Sequence, residues 1–272
     1  MRRTKRQALI TSIISGLTIQ LLIAPAQASS SLISQIPAKS KQTTEITIYA
    51  ASSLKPAFDV IAAKFMRKHP KVKVTISYGS SGTFATAIVN GATPDIFASA
   101  AKDKMSIVKS AAATKSSLNF ASNSIVLAFP QSNPHSITSV TDLNRTIDPI
   151  LWARCVDSAP CGARAKASIA ALGIADTPTT MVADDAAQVA LLKSGEIDAA
   201  LIYRSDVVAQ KPLLASVKFK GAAAQTSVTK YPIAVLKTSK HKKIARQFIQ
   251  FVLNKKKGQH ILSKYGFGKP RG

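Results

Sequence analysis

Apolar and polar positions alternate over residues 45–50 and again over 72–77, with Ile46, Ile48, Val72, Val74 and Ile76 on one side of the pattern. Such alternation of β-branched residues predicts two short strands. Each run is followed by small and hydroxylated residues, Ser52-Ser53 in the first and Ser80-Ser81-Gly82-Thr83 in the second. A helical pattern then begins. Phe58, Ile61, Ala62, Phe65 and Met66 recur at three- to four-residue spacing, which predicts a helix over 56–68 that His69-Pro70 closes. A shorter helix is expected over 83–89, a strand over 94–99 and a helix through Met105 and Val108. Strand and helix thus alternate with short links, the signature of an α/β fold with a mostly parallel sheet. In that architecture ligands lie beyond the carboxyl ends of the strands, where both serine stretches and Ser99 fall.

The later chain repeats this logic. Residues 124–129 form an apolar run closed by Pro130, and Ser139 starts a helix. Residues 150–156 fit helix or strand. An alanine-rich helix is expected over 163–172, a short strand over 179–182, and a helix over 184–193 that opens on Asp184-Asp185 and ends at Gly195. Residues 199–203 and 231–236 read as strands, and 242–253 as a helix before a glycine-containing tail. Hydroxyls and free backbone N–H groups at two helix starts, one strand apart, would make a cleft for a small anion; singly, such serines are ordinary N-caps.

The first residues have a separate purpose. Arg2, Arg3, Lys5 and Arg6 precede a mostly apolar run to Ala24, and Ala26-Gln27-Ala28 offers a small-x-small cleavage site. Residues 1–28 therefore read as an export signal and 29–43 as a polar, disordered leader. No cysteine follows the apolar run, so lipid attachment is not encoded and the protein is expected in the periplasm or at the cell envelope. The net charge is +24, from 37 basic and 13 acidic residues. Removal of the signal, with four basic and no acidic residues, leaves +20. This charge concentrates anions near the protein. Nucleic acid is not the expected partner, because the lysines are scattered and no aromatic-rich basic motif occurs. The only cysteines, Cys155 and Cys161, are close together in an exported chain, which predicts a disulfide. Two cysteines and four scattered histidines make no zinc site, and no nucleophile elbow, H-E-x-x-H or phosphate-loop lysine motif is present.

Taken together, Tyr49-Ala-Ala-Ser-Ser-Leu54, Tyr78-Gly-Ser-Ser-Gly-Thr83, Pro94-Asp-Ile-Phe-Ala-Ser99, Asn123-Ser-Ile-Val-Leu-Ala128, Pro160-Cys-Gly162, Gly195-Glu-Ile-Asp-Ala-Ala200, Tyr203 and Tyr231-Pro-Ile-Ala-Val235 resemble the periplasmic molybdate-binding proteins of ABC importers. The resemblance runs from Glu45 to Gly268. It implies a two-lobe periplasmic-binding-protein fold of type II, with residues 44–122 and 230–272 in one lobe, 123–229 in the other, and crossovers near Ser122 and Lys230. It further implies a monomeric, non-catalytic receptor that takes molybdate, and tungstate with it, to a membrane permease without a cofactor. The implied oxyanion ligands are the hydroxyls and N–H groups of Ser53 and Ser81, the N–H groups of Cys161 and Ala186, and the hydroxyl of Tyr203. Neutral donors suit a fully ionised oxyanion, which offers acceptors and no proton.

The chain departs from the family around residues 185–188, which run one residue short, so that Asp185 or Ala187 could stand in the place of Ala186. Asp184 and Asp185 would be a helix cap and first-turn residue facing solvent, or else put a carboxylate near the ligand. A carboxylate there would repel a dianion and accept the proton of monohydrogen phosphate, which keeps phosphate, with sulfate, as an alternative ligand. An exported enzyme acting on phosphorylated or sulfated substrates would need a nucleophile paired with a base or metal, and no such pair is evident.

Overall fold

A computed structural model describes residues 43–270, so the expected export signal and nearly all of the leader lie outside the described residues. The first half of the chain follows the sequence pattern closely. Strand β1 (Thr44–Ala51) runs through a 3-10 turn (Ser52–Leu54) into helix α1 (Lys55–Lys68), followed by β2 (Val72–Gly79), α2 (Ser81–Val89), β3 (Ile96–Ala98) and α3 (Lys102–Ser110). Helix α2 starts two residues before the expected position because Ser80 caps it, its hydroxyl accepting from the Gly82 N–H at 3.3 Å.

Strand β4 (Leu118–Pro130) is twice the length of its apolar run. A 3-10 turn (Val140–Asn144) capped by Ser139 replaces the helix expected there, and residues 150–156 resolve as β5 (Trp152–Cys155). Then come α4 (Pro160–Ala170), β6 (Thr180–Val182), α5 (Asp185–Ser194) and β7 (Ala199–Tyr203). Three elements had no clear periodicity: α6 (Arg204–Ala209), β8 (Leu214–Lys218) and α7 (Gly221–Thr226). Strand β9 (Val228–Val235), α8 (Lys242–Leu253) and α9 (Gly258–Lys264) complete the chain, the last forming a helix where only a glycine-containing tail was expected.

The sheet is mixed rather than mostly parallel. Its order is β2-β1-β3-β9-β4-β7-β5-β6, with β8 also paired to β4. β1 pairs in parallel with β2 and β3, and β5 with β6 and β7. Every pairing of β4 and β9 is antiparallel. These two long strands join the parallel groups. Residues 118–124 of β4 pair with β9, whereas residues 125–130 pair with β7 and β8.

The C-terminal helices pack back on the first part of the chain. Phe65 meets Phe248 and Phe251 edge-on at ring-centre distances of 5.3 and 5.7 Å, and Phe58 meets Phe120 at 5.6 Å. Helix α8 presents Ala245, Phe248, Ile249 and Val252 at three- to four-residue spacing, all buried. Ser122 and Gly268 exchange backbone hydrogen bonds, fixing the chain end to β4.

Candidate functional site

The starts of several helices converge on one cavity of about 10 Å³. Its wall contains Ser52, where the turn into α1 begins, Ser80 and Ser81 at the start of α2, Pro160 and Cys161 at the start of α4, and Asp184 and Asp185 at the start of α5. Tyr203, at the end of β7, completes it. The opening N–H groups of a helix have no partner within the helix, and the aligned peptide dipoles leave partial positive charge there. Convergence of such ends makes the cavity suited to an anion.

The two serines of the sequence reading take different places. Ser81 lines the cavity, is 1% exposed, and accepts at Oγ from the Ala100 N–H at 2.9 Å. With that bond occupying its oxygen, its hydroxyl hydrogen is free to donate. Ser53 is equally buried but lies one residue behind the lining residue Ser52. Its Oγ is 2.8 Å from the Tyr231 hydroxyl. Asn123 Nδ2 donates to Ser205 Oγ at 2.8 Å and, over 3.4 Å, to the same Tyr231 oxygen. Tyr231, accepting from Asn123, can give its own proton to Ser53 and so turn the Ser53 hydrogen outward.

Cys155 and Cys161 form the expected disulfide, with Cα atoms 5.7 Å apart. It ties the end of β5 to the first turn of α4. Gly162 follows because a Cβ there would lie 2.0 Å from the Val156 carbonyl oxygen. The Asp185 carboxylate and the two sulfurs lie within 4.8 Å of one another, but both sulfurs are committed to the disulfide, which leaves no thiolate for a metal.

The acidic pair divides. Asp184 is the helix cap, its carboxylate accepting from the Ala187 N–H at 3.1 Å. Asp185 does not face solvent: it is 4% exposed, lines the cavity, and its Oδ1 has no hydrogen-bond partner. Ala186 is exposed and does not line the cavity. Burial pushes the Asp185 carboxyl well above its ordinary range, Asp206 and Asp184 push it the same way, and the backbone N–H groups of Asp185 and Tyr203 oppose them. Tyr203 is wholly buried and its hydroxyl also lacks a partner. Burial, with the phenol of Tyr231 and the carboxyl of Asp185, holds its proton on, against the pull of Arg164. Asp206, in the first turn of α6, is raised to about 8 by burial and by Asp184.

Ser52 and Ser80 stand in the two hydroxyl-rich stretches that the sequence marks as an anion cleft, beside the serines named as ligands. Asn123 and Tyr231 belong to recognised segments but gave no sign of their bond to Ser53. Asp206 and Arg164 carried no signal.

A family model of bacterial extracellular solute-binding proteins matches residues 46–268. The chain belongs to that family. Its members are extracellular solute-binding proteins rather than enzymes. The chain is 32% identical to the molybdate-binding protein ModA of Mycobacterium tuberculosis, over 96% of this chain and 98% of the relative. It is similar to a substrate-binding domain from Clostridium difficile assigned to a molybdenum ABC transporter, at 27% identity and a TM-score of 0.64, covering 84% of this chain and all of the other. The periplasmic molybdate-binding protein of Azotobacter vinelandii shares the fold at a TM-score of 0.73 and 18% identity, over 83% of this chain and all of that one.

Proposed function

We propose that this protein captures molybdate, and tungstate with it, outside the cytoplasm and delivers it to an ABC permease. The observation that carries this reading is the convergence of helix starts with the Ser81 and Tyr203 hydroxyls on one small cavity. Neutral donors, fixed before the ligand arrives, compensate an anion stripped of water. The assignment to molybdate rests on the Mycobacterium tuberculosis relative, which matches nearly end to end.

In this reading the ligands are Ser81 and Tyr203 through their hydroxyls, Cys161 and the start of α5 through backbone N–H groups, and Ser53 from behind Ser52. Ala186 and Asp185 are adjacent N–H donors at that helix start. Residues 44–122 with 230–272 form one lobe and 123–229 the other. The change of partners along β4 and the return of α8 onto α1 support this division. A cavity of about 10 Å³ has room for about one water. Entry of a tetrahedral oxyanion therefore requires the lobes to part, and the long strands β4 and β9 are where they would bend.

Purified exported protein should carry molybdenum or tungsten by elemental analysis. In calorimetric competition it should bind molybdate and tungstate far more tightly than sulfate or phosphate, with little dependence on salt, because enclosed hydrogen bonds are poorly screened. Tight phosphate or sulfate binding without molybdate binding would overturn the substrate, and a steep salt dependence would point to the basic surface instead.

A further inference from the structure

Asp185 is hard to reconcile with a site built only for a dianion. Its carboxyl is buried in the cavity wall with Oδ1 unpartnered, beside the equally unpartnered Tyr203 hydroxyl. Among the described residues, no cation is among the groups that act on it. Helix α5 packs on the 52–54 turn, β4, β5, β6 and β7. The 52–54 turn, β4 and β6 contain no titratable side chain. β5 contributes Arg154, which is held by Asp157 and Asp176, with contacts of 2.6 Å to each. β7 contributes Tyr203, and the remaining groups that act on this corner are Asp184, Asp206, Tyr231 and Arg164.

We propose that Asp185 is a specificity-determining residue that holds a proton and donates it in a hydrogen bond to the bound oxyanion, so that on the alkaline side capture of a fully ionised anion takes up one proton. This deepens the molybdate reading and rests on it. Without an anion, burial, Asp206 and Asp184 already raise the Asp185 carboxyl above its ordinary range, and the backbone N–H groups hold that rise in check, so it ionises only on the alkaline side. A bound dianion engages those N–H groups and repels a carboxylate at contact distance, so the proton moves onto Asp185. Protonated, the carboxyl becomes one more neutral donor, of the same kind as Tyr203. The atoms balance simply: a solvent proton joins the carboxylate on binding and leaves on release. Affinity should be constant below the pKa of the empty site, then fall up to about tenfold per pH unit until the pKa of the occupied site is passed.

The test is calorimetric titration of the purified protein with molybdate from about pH 6 to about pH 9, in paired buffers of different ionisation heat. The expected result is uptake approaching one proton per anion on the alkaline side, with affinity falling as described. Asp185→Asn, which keeps a donor and cannot titrate, should bind molybdate with no proton uptake and a flat pH profile, and more tightly than the parent at the alkaline end. Sulfate is the second probe, since it is fully ionised throughout. Molybdate bound with no proton exchanged overturns this proposal and leaves the molybdate reading standing. Binding of none of molybdate, tungstate and sulfate at any pH overturns both. Phosphate that binds more tightly than molybdate as the pH rises, and loses that advantage in Asp185→Asn, would mean an ionised Asp185 accepts the ligand's proton, and also overturns the proposal.

Discussion

The Tyr231 hydroxyl lies 2.8 Å from the Ser53 hydroxyl, although 178 positions separate the two residues in the chain. The contact joins the turn after β1 to β9, and through Asn123 and Ser205 it continues to the start of α6. Tyr231 also packs edge-on against Tyr203 at 5.9 Å between ring centres. It therefore touches both a proposed first-lobe donor and the aromatic ring of a second-lobe one. Tyr231→Phe keeps the ring and removes the bond that orients Ser53. We expect molybdate binding about fivefold weaker, the worth of one ordinary hydrogen bond of about 1 kcal/mol, measured by isothermal titration. Unchanged affinity would separate Ser53 orientation from binding.

Direct removal of a donor should cost more. Ser81→Ala and Ser53→Ala each delete a hydroxyl and leave the backbone N–H in place. A hydrogen bond to a charged ligand is worth about 1.5–3 kcal/mol, so molybdate binding should weaken roughly 10- to 150-fold without matching loss of thermal stability. If both variants bind as tightly as the parent, the ligand set is wrong.

Gly82 marks how closely the two sides of the cavity approach. A Cβ on this residue would lie 2.9 Å from the backbone oxygen of Ser158, in the segment before α4. Gly82→Ala should wedge these segments apart and weaken molybdate binding by about tenfold. The ligand-free protein should be no less stable, since alanine favours a helix over glycine by about 0.5–1 kcal/mol. A variant that loses thermal stability and keeps its affinity would locate the strain in the fold rather than in closure.

The Cys155–Cys161 bridge orders the entry to α4, where the Cys161 N–H is a proposed ligand. Alkylation without reductant should modify neither cysteine, as read by intact mass. Reduction should weaken molybdate binding about fivefold, corresponding to about 1 kcal/mol. Two alkylated cysteines in the unreduced protein would reject the bridge, and unchanged affinity after reduction would reject its role in the site.

Burial raises the Asp206 carboxyl to about 8, and the raised Asp185 carboxyl has the same sign. An unfolded aspartate loses its proton near its ordinary pKa of about 4, whereas folded Asp206 keeps it. Between these values the folded state binds more protons, so stability is full below about pH 4 and declines as pH rises towards about 8. The ligand-free protein should therefore melt lower at about pH 8 than at about pH 5. Asp206→Asn should flatten that difference, and an equal slope in the variant would assign it to other groups.

Most of the elements that surround the cavity are legible in the residue pattern alone. Alternation marks β1 and β2, three- to four-residue spacing marks α1 and α8, and serine or aspartate before an apolar run marks the starts of α2 and α5. These are short-range properties, set by backbone geometry and capping within a few residues, so they can be read locally. The cysteine pair and the family segments were legible for the same reason, being short and ordered along the chain.

Tertiary structure decided what those elements do to one another. Strand β4 begins six residues before its apolar run because residues 118–124 find β9 as a partner, which no local pattern announces. The antiparallel pairings of β4 and β9 turn an expected parallel sheet into a mixed one. Ser52, rather than Ser53, reaches the wall, because Tyr231 arrives from the far end of the chain to hold Ser53 behind it. Asp185 is chemically identical whether it faces water or the cavity. Only the packing of α5 against the 52–54 turn and β7 removes it from solvent, and burial depends on neighbours distant in sequence.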